Sequence, residues 1–206
     1  MKQSVVRKLV RTVSTGALAV AVASAVAPTL SAQSVAHGER TVAIERALHR
    51  LPYYGVFDFL SYGVERGTVT LAGYAYRGNL RIDASRRAVK KVSGVDEVAN
   101  KIEILPASQE DDRIRWATFS SIYTDEFLSR YAPGGVMGAR REMLSAAQYP
   151  GMQPFGTYPI HIIVKNGRTT LVGVVDNESD KILAGVRARE VPLVFGVENQ
   201  LEVRRK

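Results

Sequence analysis

The chain of 206 residues contains no cysteine. That excludes disulfides, thiolate nucleophiles, cysteine-ligated metals and a lipid on an N-terminal cysteine, so the fold must be held by its core alone. Histidine is nearly as scarce, with only His37, His49 and His161. No HExxH and no Asp/His cluster at metal spacing accompanies them, so no metal and no cofactor is expected. There is no G-x-S-x-G elbow, and no G-x-G-x-x-G loop opening a helix to hold a phosphate. His161 alternates out of phase with Ile160, Ile162 and Val164. That puts it on the opposite face of its strand, as a sheet-face or interface imidazole. The chain reads as a non-enzyme, with no catalytic residue and no small-molecule substrate expected.

Acid is also missing from the opening MKQSVVRKLVR, which carries Lys2, Arg7, Lys8 and Arg11. The Ala- and Val-rich run TVSTGALAVAVASAVAPTL follows, and then SAQS. A basic head, an apolar middle and a small-residue exit together make a secretory signal. It is expected to span residues 1–32, with cleavage after Ala32 or, alternatively, after Ala25. As an anchor, the apolar run is short for a span of roughly 20 residues and breaks at Pro28. Export to the bacterial periplasm follows. The net charge of +8 falls to about +4 without the four leader cations. That mild bias suits anionic membrane surfaces and falls short of the dense footprint of a nucleic-acid binder.

What the chain does have, it has twice. GTVTLAG at 67–73 and GRTTLVG at 167–173 stand one hundred positions apart, and their surroundings recur over some forty residues. The register holds from Val64/Val164 to Ala88/Ala188, then shifts to pair Gly94 with Gly196 and Asn100 with Asn199. This is an internal duplication. In each copy a strand (Val56–Tyr62; Ile160–Val164) meets a tight turn whose glycine supplies a positive φ. An alternating strand comes next, with Val69 and Leu71, or Thr169 and Leu171, on one face. A helix with Leu80, Ala84, Ala88 and Val92 four apart follows in copy one. Gly94 caps it, and Val98–Leu105 or Glu198–Val203 closes the unit as a last strand. Helices also precede each unit, over Glu39–Leu51 and from Asp111 and Asp112, whose charge favours a helix start.

The expected fold class is α+β, with two repeats of an α-β-β-α-β open two-layer sandwich. Each repeat has a three-stranded mixed sheet with helices on one face. Copy one should span 39–105 and copy two 111–205, joined by a linker at 106–110, with an insertion at 132–158. Each sheet leaves a face and edges to cover, and two copies can cover each other.

The pattern G-x-V-T-L-x-G, a helix with Ala at every fourth position, and G-V-x-x-V-x-N-x-I-x-V resemble the BON domain (bacterial OsmY and nodulation). Copy one matches from Val64 to Ile104. Copy two departs at Arg168-Thr169 and in its insertion. The resemblance implies a periplasmic or envelope module that associates with phospholipid, often in tandem. Some members act as chaperones for outer-membrane proteins, and others as accessory domains of channels and secretion pores. The shared residues mainly build shape, so they guide fold more than function.

Two segments carry recognition chemistry. In RGNLRIDASRRAVKKV, Arg77, Arg81, Arg86, Arg87, Lys90 and Lys91 stand against Asp83 alone, whereas the matching helix of copy two is charge-neutral. This is either a patch for anionic phospholipid headgroups, each cation worth about 1 kcal/mol near such a surface, or an ordinary solvated face. The insertion holds Met137, Arg140, Arg141, Met143, Tyr149, Met152 and Phe155. It reads equally as an adaptable surface for an acyl chain, an unfolded client or a subunit, and as a flap over an exposed sheet face. The functional expectation is an envelope binding module on anionic phospholipid. The alternatives are a periplasmic chaperone for unfolded outer-membrane proteins and, behind it, a structural subunit of an envelope complex. Nucleic acid is not an expected partner, because export removes it.

Overall fold

The computed structural model describes residues 29–149 and 151–205. Helix α1 (Thr29–His49) leads into strands β1 (Phe59–Glu65) and β2 (Thr68–Ala75), helix α2 (Gly78–Ile82) and strand β3 (Glu97–Ile104). The second half runs α3 (Gln109–Tyr123), a 3-10 turn (Leu128–Tyr131), α4 (Gly135–Gln148), β4 (Ile160–Lys165), β5 (Arg168–Val175), α5 (Glu178–Arg189) and β6 (Gly196–Val203). Each half forms a mixed three-stranded sheet whose central strand, β2 or β5, is antiparallel to the strand before it and parallel to the strand after it. The α+β architecture of two repeated units is therefore the one observed. Most of the expected signal segment, residues 1–28, lies outside the described residues.

The duplicated glycines do two different jobs. Arg66-Gly67 and Asn166-Gly167 all take positive φ, at 45° and 86° and at 52° and 74°, which is the hairpin turn that matches strand twist. Gly73 and Gly173 stand at φ 117° and 138°. A Cβ at either would strike the carbonyl oxygen of Phe59 or Pro159 on the neighbouring strand, so a bare backbone is required there. The paired asparagines also recur for a reason. Asn100 donates to the Arg81 carbonyl at 2.9 Å and accepts from the Ile102 N–H at 3.1 Å. Asn199 does the same with Lys181 at 2.7 Å and Leu201 at 3.3 Å. Each tethers the closing strand to the helix above it.

Alternation along the strands sends one face to the helices. Leu60, Val69 and Leu71 pack under Ile44 and Leu48 of α1 and Leu80 of α2. Ile160, Ile162 and Leu171 pack under Ile114 and Ile122 of α3 and Ala184 of α5. Burying each such aliphatic side chain contributes roughly 1.5–3 kcal/mol. Ser108 caps α3, its hydroxyl accepting from the Asp111 N–H at 3.2 Å. Asp111 itself is buried and accepts from the Asn166 and Gly167 N–H groups at 2.9 and 2.8 Å, so it fastens the helix to the β4–β5 turn.

Three expectations need correction. The first helix is Thr29–His49 instead of 39–51. Strand β1 starts at Phe59 instead of Val56, because Val56 and Phe57 leave copy one and pack into the core of copy two. The regular 3.6-residue stripe over Leu80, Ala84, Ala88 and Val92 also fails. After Ile82 the chain widens into a π-helical stretch, Asp83–Ala88, and then tightens to a 3-10 turn, Val89–Lys91. Val89 takes the buried place expected of Ala88. In copy two a Cβ at Gly185 would lie 2.8 Å from Asn199 Nδ2. Copy one has Ser85 at the matching position, within the π-helical stretch, its hydroxyl donating to the Arg81 and Ile82 carbonyls at 3.3 and 3.2 Å.

Candidate functional site

The basic segment divides on inspection. Arg77 is half-buried and donates to the Gly151 carbonyl of the other half. Lys90 donates to the Asp96 carbonyl, which straps the segment to the start of β3. Arg87 is exposed and pairs with Asp83 at 3.1 Å. Arg81, Arg86 and Lys91 are exposed and make no ion pair among the described residues. Copy two's equivalent helix balances its charges: Arg187 pairs with Asp125 at 2.8 Å and Glu190 at 3.0 Å. Two of the six predicted cations, Arg77 and the exposed Lys90, are thus spent on backbone carbonyls, and the other four face solvent without such a tie.

The insertion divides as well. Helix α4 presents Met137 and Leu144 to solvent at 72% and 68% exposure, Tyr149 just past its end is 60% exposed, and Arg140 and Arg141 are exposed beside them. Met143 points inward against the copy-two core. Met152 is half-buried, and Phe155 is half-buried with its ring 5.8 Å edge-on from Tyr53. The first part is an open amphipathic surface. The return loop is a clasp on copy one.

That clasp is a buried polar cluster in the junction, and sequence reasoning missed it. Gln153 is 1% exposed; its Nε2 donates to Asp58 Oδ2 at 2.6 Å and to the Tyr53 carbonyl at 3.2 Å, and its Oε1 accepts from the Phe57 N–H at 3.2 Å. Asp58, fully buried, also accepts from the Gly55 N–H at 3.0 Å and the Tyr76 N–H at 2.7 Å. Burial pushes its carboxyl up to about 6, against the pull of those donors and of Arg77. Val56 donates to the Pro154 carbonyl at 3.0 Å and accepts from the Ile162 N–H at 2.8 Å, so residues 54–58 cover the edge of β4. Farther along, Phe57 sits edge-on between Tyr76 and Trp116, at 5.7 and 5.3 Å. Arg115, buried, lies over the Tyr76 ring at 5.1 Å, donates to the Val164 carbonyl at 2.6 Å and pairs with Asp112. The Lys165–Glu103 ion pair closes the outer rim.

His161 lies where its strand phase placed it, on the face of β4 turned from the helices. It is 3% exposed, between the rings of Tyr54 and Phe59 at 5.4 and 5.8 Å. Burial pushes it down to about 4, so it is neutral near pH 7. Among the described residues no group of three or more His, Cys, Asp or Glu is placed to hold a metal, and no helix is long and apolar enough to cross a membrane.

Two copies of one mixed-sheet sandwich, clasped through a polar junction, define a tandem binding-type module. The chain belongs to the BON domain family, which matches residues 58–106 and 146–205, together more than half of its length. BON domains are envelope- or membrane-associated modules, generally non-catalytic. No curated protein matches the chain. Among solved structures it is similar to CdsD, a structural protein of the type III secretion system of Chlamydia trachomatis. Identity is 11% over 81% of this chain and 92% of that one, at a TM-score of 0.26. The C-terminal domain of CdsD gives 11% identity over 80% and 96%, at 0.24. At those scores the likeness carries no argument.

Proposed function

We propose that the protein is a non-catalytic module of the bacterial periplasm, exported by residues 1–32, that attaches to anionic phospholipid through the helical segment 78–91 of its first unit (39–105). The observation behind this is the set of solvent-facing cations Arg81, Arg86, Arg87 and Lys91, opposed by Asp83 alone. At about 1 kcal/mol each, four such cations give on the order of 4 kcal/mol of attachment. That is weak and salt-sensitive. The mature protein should pellet with vesicles containing phosphatidylglycerol at roughly 0.1 M salt and stay in solution at roughly 1 M, where the Debye length shrinks from about 10 to about 3 Å. Replacing all four cations with Glu should abolish pelleting; undiminished pelleting removes the proposal.

A second reading draws on Met137 and Leu144 of α4 and Tyr149 just past its end, an adaptable apolar surface in the second unit (111–205). It is a chaperone that holds unfolded outer-membrane clients. It should suppress client aggregation with little salt dependence and lose that ability when the three side chains become Ser. Unchanged suppression sinks it.

A further inference from the structure

Leu193 and Phe195 break the likeness of the two halves. The loop before the last strand is built the same way in both: the Asp96 N–H donates to the Gly67 carbonyl and the Phe195 N–H to the Gly167 carbonyl, each at 2.9 Å. Two residues earlier both loops turn left-handed, at φ 76° for Gly94 and 70° for Leu193. Glycine takes that conformation freely, whereas a leucine there is strained. The strain gains no burial. Leu193 is 62% exposed, and Phe195, lying over the Gly167 turn, is 80% exposed, the most open large apolar side chain among the described residues. Copy one has a glycine and an acid at these two places. A strained backbone that holds two apolar side chains in water marks a contact with something outside the chain.

A hole lies beside this knob. An open groove of about 470 Å³ runs along the face of β4, β5 and β6 turned from the helices, among Tyr74, Ile163, Thr170 and Val197, and Gly196 of its wall directly follows Phe195. It is ample for a phenyl ring, since an apolar cavity of about 150 Å³ holds benzene. Its charges are of both signs. Lys165 is engaged by Glu103. Arg168 and Glu198 are exposed along it, and neither forms an ion pair among the described residues. A face of one sign repels its own copy, as the cations of segment 78–91 must. A face that carries knob, hole, cation and acid together complements itself about a two-fold axis, where residue i meets j and j meets i. The mixed polar and apolar wall suits such an interface.

We infer that a second copy of this chain covers this face, in a two-fold dimer where Phe195 of each protomer enters its partner's groove, Leu193 packs at the mouth and Arg168 meets the partner's Glu198. Sedimentation of the full mature chain at loadings from about 1 µM to about 1 mM should show monomer passing to dimer. Phe195→Asp and Leu193→Gly install what copy one carries at these places, and each should weaken association by about tenfold or more. Arg168→Glu and Glu198→Arg put like charges in both cross pairs, so each variant alone should dissociate. Mixing the two in equal amounts should restore the dimer, because every cross pair is then opposite in sign. A wild-type chain that stays monomeric at the highest loading, a dimer untouched by Phe195→Asp, or mixed charge variants that fail to associate overturns the inference. So does a monomer whose pelleting with vesicles is lost on Phe195→Asp, which would give the knob to a bilayer instead. The mixing experiment decides the matter even if Phe195→Asp fails to fold.

Discussion

Asp58 and His161 are buried in the same junction and titrate in opposite senses, which makes acid stability a direct probe of it. Asp58 rises from 3.8 to about 6 on folding, so the native state holds that proton more tightly than the unfolded chain does. Its contribution is complete below 3.8 and is lost as pH climbs through about 6. His161 falls from 6.5 to about 4, so its contribution is complete above 6.5 and is lost as pH drops through about 4. Each shift corresponds to about 3 kcal/mol, and the two windows nearly coincide. In the wild-type protein the terms offset each other. Asp58→Asn should unmask the histidine, so that this variant loses about 3 kcal/mol relative to wild type between pH 6.5 and 4. His161→Leu should unmask the carboxyl and gain about 3 kcal/mol over the same acidification. Urea unfolding at stepped pH reads both. With a slope of about 2 kcal/mol/M, each midpoint should move by about 1.5 M against wild type, in opposite directions. Contributions common to all three proteins cancel in the differences. Curves parallel to wild type in both variants would refute the assignment of these two groups.

Other substitutions test single contacts. Gly73→Ala and Gly173→Ala should each cost roughly 2 kcal/mol or more, since both demand positive φ and a bare α-carbon against a carbonyl; thermal melts would show it. Gln153→Ala strands the Phe57 N–H and leaves Asp58 short of a donor, for about 3 kcal/mol in the same measurement. Tyr131→Phe removes a hydroxyl that donates to Asp180 at 2.6 Å and accepts from the Asp176 N–H at 2.8 Å. It should cost about 2 kcal/mol and loosen the start of α5, visible as faster amide exchange at Asp176.

The repeated sandwich was legible because its determinants are local. A turn needs its glycine and an alternating strand shows its face, so Gly67, Gly73 and their partners could be read one residue at a time. The widened helix was not legible. Leu80, Ala84, Ala88 and Val92 satisfy a 3.6 period, and nothing in that pattern marks the change of winding at Asp83. The basic cluster was visible as composition, but composition does not tell Lys90, spent on the Asp96 carbonyl, from Lys91, which faces water. The junction was the least readable part. Asp58 and Gln153 are 95 positions apart, and neither carries a periodicity or motif. Phe57 looked like the opening of a strand because its apolar neighbours suit a strand equally well.

The loan of Val56 and Phe57 to the opposite core has a practical corollary for anyone dissecting the molecule. A fragment beginning after Leu105 would lack the plug that fills space beside Trp116, and one ending there would carry a homeless aromatic ring into water. Neither piece is a faithful stand-in for its parent. The chain should melt in one step, as a pair that shares property across the seam.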